Sequence, residues 1–207
     1  MRGAVPGAVQ AVVLDIGRVV VDFDVSRAVA HLAAAASVPE RRAEAALFGP
    51  HYRPFVRGDL DASGFHAEVC RRLGREVAYD RFVAAWCDMF REIPGMSEVT
   101  AALARAHPLY FCSNTDPLHY EYLRRRFGVF SLGRGAVLSF EAHCEKPEPE
   151  IFEELLRRFA LEPERTLFVD DLEVNVAGAM ALGLRALLFR GAEALRCELV
   201  AMRVLPG

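Results

Sequence analysis

The chain has 207 residues, 53% of them apolar and 26% charged, and a net charge of −3. That composition excludes a disordered chain, because there is ample apolar surface to offset the entropy of folding, and the length suits one domain carrying a sizeable insert. An excess of acids, 28 against 25 basic residues, offers no basic footprint for nucleic acid, and no apolar stretch reaches the roughly 20 residues of a membrane span.

The N-terminus, MRGAVPGAVQ, lacks a basic segment followed by a continuous apolar core, so no secretory signal is expected. From Val12 to Ile16 an apolar run broken by one acid predicts a strand buried on both faces. Asp24 to Pro94 shows only helical patterns, near 25–36, 40–48, 61–73 and 79–91. A crossover between parallel strands needs one helix and a few loop residues. Residues 24–94 are therefore expected to form an inserted helical unit, and 1–23 with 95–207 the α/β core. Strand-like runs return at 109–112, 136–140, 166–169 and 186–189, separated by helical periods at 97–106, 117–127, 149–160, 172–182 and 191–202. Asp116 before Pro117 is a good helix start. The alternation predicts a doubly wound parallel sheet with helices on both faces. Five cysteines (Cys70, Cys87, Cys112, Cys144, Cys197) without a CxxC pair are expected to be free thiols of a cytoplasmic protein.

In open parallel sheets ligands bind beyond the carboxyl ends of the strands. Asp15 and Gly17 follow the first apolar run, Ser113 and Asn114 the second, Lys146 the third after a short loop, and Asp170 and Asp171 close the fourth, with Asn175 one turn on. Singly, Asp171 reads as a helix cap, Ser113 and Asn114 as turn residues and Lys146 as a surface lysine. Asp15 is harder to dismiss, because an unpaired carboxylate at the end of a buried strand is costly. Taken together they suit phosphoryl transfer: carboxylates for Mg²⁺, an attacking aspartate, and donors for the phosphoryl oxygens.

With these residues in place the sequence resembles the haloacid dehalogenase superfamily, in its phosphatase branch with a small helical cap. VVLDIGRVVVDFD, LYFCSNTD, EKPEPEIF and LFVDDLEVNVAGAMALG look like its four motifs, in order and across essentially the whole chain. The resemblance implies Asp15 as nucleophile, Ser113 and Lys146 (with Asn114) as phosphoryl binders, and Asp15, the Gly17 carbonyl, Asp170 and Asp171 around Mg²⁺. Most phosphatases of the family carry a second Asp two residues after the nucleophile, as acid and then base; here Gly17 stands there. The stretch DIGRVVVDFD, with SNTD and His119, is similar to a bacterial subgroup including α-D-glucose-1-phosphate phosphatase, which also has glycine at that place. Water or a residue of the insert such as His51 is the expected substitute, unless an acidic sugar hydroxyl hardly needs one.

Three rival readings stay open: a carbon–halogen hydrolase of the same superfamily, against which the acidic pair 170–171 argues; a response-regulator receiver domain, whose acidic pair comes early in the chain; and a non-catalytic binding module. In the insert, Phe55, Leu60, Phe65, Val69, Leu73, Phe82, Trp86 and Phe90 read as its core. His51, Tyr52, Arg53 and Arg57 are the candidates for substrate specificity, and Gly58-Asp59 and Gly95 for flexing. The expected partner is a small phosphorylated metabolite, neither nucleic acid nor membrane, with a homodimer contact through the insert left open.

Overall fold

The structure is a computed structural model that describes residues 8–207. Residues 1–7, expected from the sequence to belong to the core unit and to a non-secretory N-terminus, lie outside the described residues. In chain order, β1 (Ala11–Leu14) and a short β2 (Val21–Phe23) lead into α1 (Val25–Ala36), α2 (Glu40–Leu47), α3 (Tyr52–Val56), α4 (Ala62–Leu73) and α5 (Tyr79–Cys87). Next come β3 (Phe90–Glu92), α6 (Met96–Ala106), β4 (Leu109–Ser113), α7 (Pro117–Arg126), β5 (Ala136–Leu138) and α8 (Ser139–Ala142). The chain closes with α9 (Pro149–Phe159), β6 (Thr166–Asp170), α10 (Glu173–Ala181), β7 (Arg185–Leu188) and α11 (Ala192–Ala201).

Five strands form one parallel sheet in the order β5-β4-β1-β6-β7. Every residue of β1, β4 and β6 is buried. Because side chains alternate across a strand, Val12, Leu14, Phe111 and Val169 enter the core on one face, while Val13, Tyr110, Cys112 and Phe168 enter the core on the other. Helices cover both faces, so the strands carry continuous rather than alternating apolar runs. β1 lies at the centre, between β4 and β6. The residues just beyond it therefore emerge in the crevice where the winding reverses.

The helices after β2 bury their own apolar cluster, around Leu32, Leu47, Phe55, Phe65, Phe82 and Trp86. Phe55 and Phe65 stack with ring centres 4.1 Å apart; burying side chains of this size stabilises by about 1.5–3 kcal/mol each. Asp24, Asp61 and Asp116 cap α1, α4 and α7 with their side chains.

Some expectations need correction. The segment 24–94 is not wholly helical: Phe90–Glu92 pairs antiparallel with Val21–Phe23. Three-residue strands are too short for period-two patterning, and here they end the preceding helix at Cys87 rather than at 91. Asp171 does not cap the following helix. Leu172 stands at the N-cap without a side-chain cap bond, and Asp170 Oδ1 accepts from the Leu172 N–H at 2.9 Å. Gly58 takes φ +76°, and a β-carbon there would collide with the carbonyl oxygen of Phe140, so only glycine fits that turn.

Candidate active site

Asp15 leaves β1 but stays in register, its N–H donating to Val169 O of β6 at 2.9 Å. One carboxylate oxygen, Oδ1, accepts from the Ile16 N–H at 2.7 Å and from Lys146 Nζ at 2.8 Å. The other has no partner among the described residues. Burial pushes this carboxyl up to about 6, with Lys146 pulling it down and Asp170 adding to the rise. At the end of β6, both oxygens of Asp170 are hydrogen-bonded: Oδ1 accepts from Leu172 N–H and Asn175 Nδ2, both at 2.9 Å, and Oδ2 from Lys146 Nζ at 2.6 Å.

Lys146 therefore spends two of its three N–H donors on two buried acids. Burial alone would lower its ammonium, but the charges of Asp15 and Asp170 outweigh this and hold it above the usual lysine range. Its backbone is fixed by Asn114, whose Nδ2 donates to Lys146 O at 2.8 Å while its Oδ1 accepts from Lys146 N–H at 2.7 Å. Both polar atoms of the Asn114 side chain are thus committed to holding the lysine. Ser113, at the end of β4, is a buried residue whose hydroxyl has no partner among the described residues.

Carboxylate oxygens of Asp15, Asp170 and Asp171 lie within 4.8 Å of one another. Burial, and then the Asp170 charge, raise the Asp171 carboxyl. The Gly17 carbonyl, beyond the loop in which Ile16 O accepts from Val20 and Val21 N–H, takes no hydrogen bond among the described residues. An all-oxygen set of this kind fits a small hard cation such as Mg²⁺, which uses one or two carboxylates and completes its shell with water and phosphate. A soft metal would want sulfur or imidazole donors.

Beside these groups is a cavity of about 100 Å³ whose walls come from both halves of the molecule: Gly17, Ser113, Thr115 and Asp116 from the core, Phe48, Tyr52 and Trp86 from the helices. A β-carbon at Gly17 would stand 3.0 Å from Cε1 of Phe23. The ring edge of Phe23 thus takes part of the space that a longer side chain there would use.

Asp116 does more than cap α7. Its Oδ1 accepts from the His119 N–H at 2.9 Å, and its Oδ2 lies 2.7 Å from His119 Nδ1 and 3.3 Å from the indole N–H of Trp86. The His119 ring stacks on Trp86 at 4.4 Å, with Nε2 3.1 Å from Trp86 O. A carbonyl only accepts, so Nε2 carries a proton. Sequence inspection finds the cap but not the partners, which lie 30 and 33 residues away; Trp86 reads only as core.

A second seam joins the helices to the segment around Lys146. Arg53 Nε donates to Glu145 at 2.6 Å, Arg57 Nη1 donates to Glu148 at 2.7 Å, and Arg57 Nη2 donates to His143 O at 2.7 Å. Buried Ser139 shares its hydroxyl proton between Val56 O (2.8 Å) and Thr115 O (3.0 Å), and accepts from Thr115 N–H at 3.0 Å. His51 is buried and lines a different groove beside Pro54, Glu68 and Arg71. The structure does not bring His51, Arg53 or Arg57 to the cavity at Asp15. Each lies on the expected α3 edge, but charge pairing across more than 85 residues of chain claims the arginines.

Comparison with known proteins agrees with this geometry. The chain is 26% identical over 183 residues to a D-ribitol-5-phosphate phosphatase from Bacteroides thetaiotaomicron, covering 84% of this chain and 89% of the relative. An enzyme of the same bacterium, crystallised with magnesium and inorganic phosphate, superposes with a TM-score of 0.76 at 23% identity, over 89% of this chain and 96% of that one. The L-2-haloacid dehalogenase of Xanthobacter autotrophicus shares the fold at a TM-score of 0.63 and 19% identity, over 96% and 85%. A family model, haloacid dehalogenase-like hydrolase, matches residues 9–183. The five-stranded parallel sheet, the acids at its carboxyl edge and this match agree: the chain belongs to the haloacid dehalogenase-like hydrolase family.

Proposed function

We propose that the protein is a Mg²⁺-dependent phosphatase of a small phosphorylated metabolite, working through an aspartyl-phosphate, with residues 24–94 as a helical cap that shapes the leaving-group site. The observation that carries this reading is the asymmetry of Asp15. Lys146 and the Ile16 amide hold one oxygen, while the other is left free beside two more acids and the open Ser113 hydroxyl.

Asp15, Asp170, Asp171 and the Gly17 carbonyl would hold Mg²⁺, which supplies positive charge against the phosphoryl oxygens. The free Asp15 oxygen attacks phosphorus, the ester P–O bond breaks, and the leaving oxygen takes up a proton. Ser113 and the third N–H of Lys146 donate to the phosphoryl oxygens, where charge is held as the bond breaks. Water then attacks the aspartyl-phosphate, releasing inorganic phosphate and restoring Asp15. Asn114 keeps the lysine in place throughout. Three neighbouring acids disfavour the carbon–halogen alternative, whose leaving halide needs no cation. Likeness to a polyol-phosphate phosphatase supports a phosphorylated sugar or polyol as substrate class.

Phosphate release from p-nitrophenyl phosphate and a panel of sugar and polyol phosphates tests the reading. Activity is expected with Mg²⁺, lost with EDTA and reduced by at least about 10³-fold in Asp15→Asn. Full activity of Asp15→Asn, or turnover indifferent to EDTA, would remove it.

A further inference from the structure

Departure of an alcohol from phosphorus builds negative charge on the leaving oxygen, and a donor placed there lowers the barrier. In the cavity beside Asp15 most donors are already committed. Asn114 holds Lys146, the Trp86 indole N–H goes to Asp116, and both His119 nitrogens are engaged by Asp116 and Trp86 O. Gly17 offers no side chain, and the edge of Phe23 crowds that place. Two residues besides Ser113 line the cavity with a side-chain hydroxyl that has no partner among the described residues, Thr115 and Tyr52. Thr115 belongs to the same loop as Ser113, on the phosphoryl side. Tyr52 comes from the helical insert, at the start of α3.

The Tyr52 ring has little freedom. Phe48 packs edge-on at 5.1 Å between ring centres, Trp86 edge-on at 6.1 Å and Phe65 at 6.4 Å. A phenol has only two side-chain torsions to fix, and here three aromatic neighbours fix them. The residue is half-buried, and its hydroxyl takes no partner among the described residues. Packing alone would be served equally by phenylalanine.

We propose that the Tyr52 hydroxyl donates a hydrogen bond to the leaving-group oxygen of the phosphate ester, making it a catalytic residue supplied by the insert. This rests on the phosphatase reading above. The phenol donates and does not give up its proton: burial, with Asp116 and Glu145 nearby, holds it above the usual tyrosine range, so it stays protonated. The leaving oxygen takes its proton from water. Such a donor matters most where the leaving group is a poor one.

The test compares phenyl phosphate with p-nitrophenyl phosphate, esters of similar shape but different leaving-group acidity, in wild type, Tyr52→Phe, Thr115→Val and Asp15→Asn with Mg²⁺ present. The change Tyr52→Phe keeps the ring and its packing. Its kcat/KM is expected to fall about 10- to 100-fold on phenyl phosphate and less than about 3-fold on p-nitrophenyl phosphate, the range of a hydrogen bond to a charged oxygen. Equal losses on both esters, no loss on either, or the selective loss appearing in Thr115→Val instead would overturn the assignment. The phosphatase reading is judged separately, by wild-type turnover and its loss in Asp15→Asn. If wild type hydrolyses neither ester, both ideas fall together.

Discussion

The two halves of the molecule solve different problems with different side chains. At the sheet edge, Asp15, Lys146 and Asp170 are buried together and bound by short charged contacts of 2.6 to 2.8 Å. In the helical insert the cavity wall is aromatic, and its polar atoms are committed to a network around Asp116, except at Tyr52. Charge on the sheet side should set how fast phosphorus is attacked, whichever ester is bound. Shape and a single hydroxyl on the insert side should set which leaving groups are handled well. Core variants should therefore lower turnover evenly across substrates, and insert variants should change the ranking of substrates.

The largest effect is expected at Lys146. Replacing it with methionine leaves two buried carboxylates without their counter-charge, a loss of about 3–5 kcal/mol for a broken buried pair. That corresponds to a fall in Tm of about 6–20 °C for a chain of this size. Turnover should drop by about 10³-fold or more on every ester. Mg²⁺ should restore part of the stability but not the rate, as thermal unfolding with and without the ion would show. A loss confined to some substrates would break the division between the halves.

Next in size is the network across the seam. His119→Ala strips Asp116 of its closest side-chain donor, at 2.7 Å, and removes the ring N–H that donates to Trp86 O. About 1–3 kcal/mol of stability should go with it. Substrate ranking should shift more than the turnover of any single good substrate; a uniform loss would mean that the network serves the charged edge instead.

The pH dependence sharpens the same contrast. In the metal-free protein Asp15 binds its proton with a pKa near 6 against an ordinary 3.8. A cation competes with that proton, so the apparent Mg²⁺ affinity should be flat above pH 6 and fall up to about tenfold per unit below it. Calorimetric titration at several pH values would check this. Stability of the metal-free form moves oppositely. The folded state holds this proton more tightly than the unfolded chain does, so Asp15 costs stability above about pH 6, and the cost fades as pH falls towards 3.8.

The smallest effects are expected at Arg53 and Arg57. Their ion pairs with Glu145 and Glu148 are partly solvated, a class worth little individually. Substitution by alanine should leave KM for sugar phosphates within about twofold and lower Tm by at most about 4 °C. A KM rise of tenfold would return these arginines to the substrate site.

Much of the fold and the site is readable in the chain. Buried strands are short unbroken apolar runs, and the residues just past their carboxyl ends gather at one sheet edge, so Asp15, Ser113, Lys146 and Asp170 can be named before any coordinates. The features that escape the sequence share a physical cause. The pairing of Val21–Phe23 with Phe90–Glu92, the bonds of Asp116 to Trp86, and those of Arg57 to Glu148 all join residues tens of positions apart through few atoms. None leaves a periodic trace. Asn114 shows the converse: its position at the strand end is plain, but whether its amide faces a ligand or its own backbone neighbour is a matter of side-chain direction alone.

Ser139 draws the two halves into one event. A single oxygen atom joins the last turn of α3 to the peptide of Thr115, two residues beyond Ser113. If the helices swing outward to let product escape, that atom must let go of Val56, and its proton then falls wholly to Thr115. Egress and resetting of the strand-end loop would share one transition, and a hydroxyl-free residue at 139 would uncouple them.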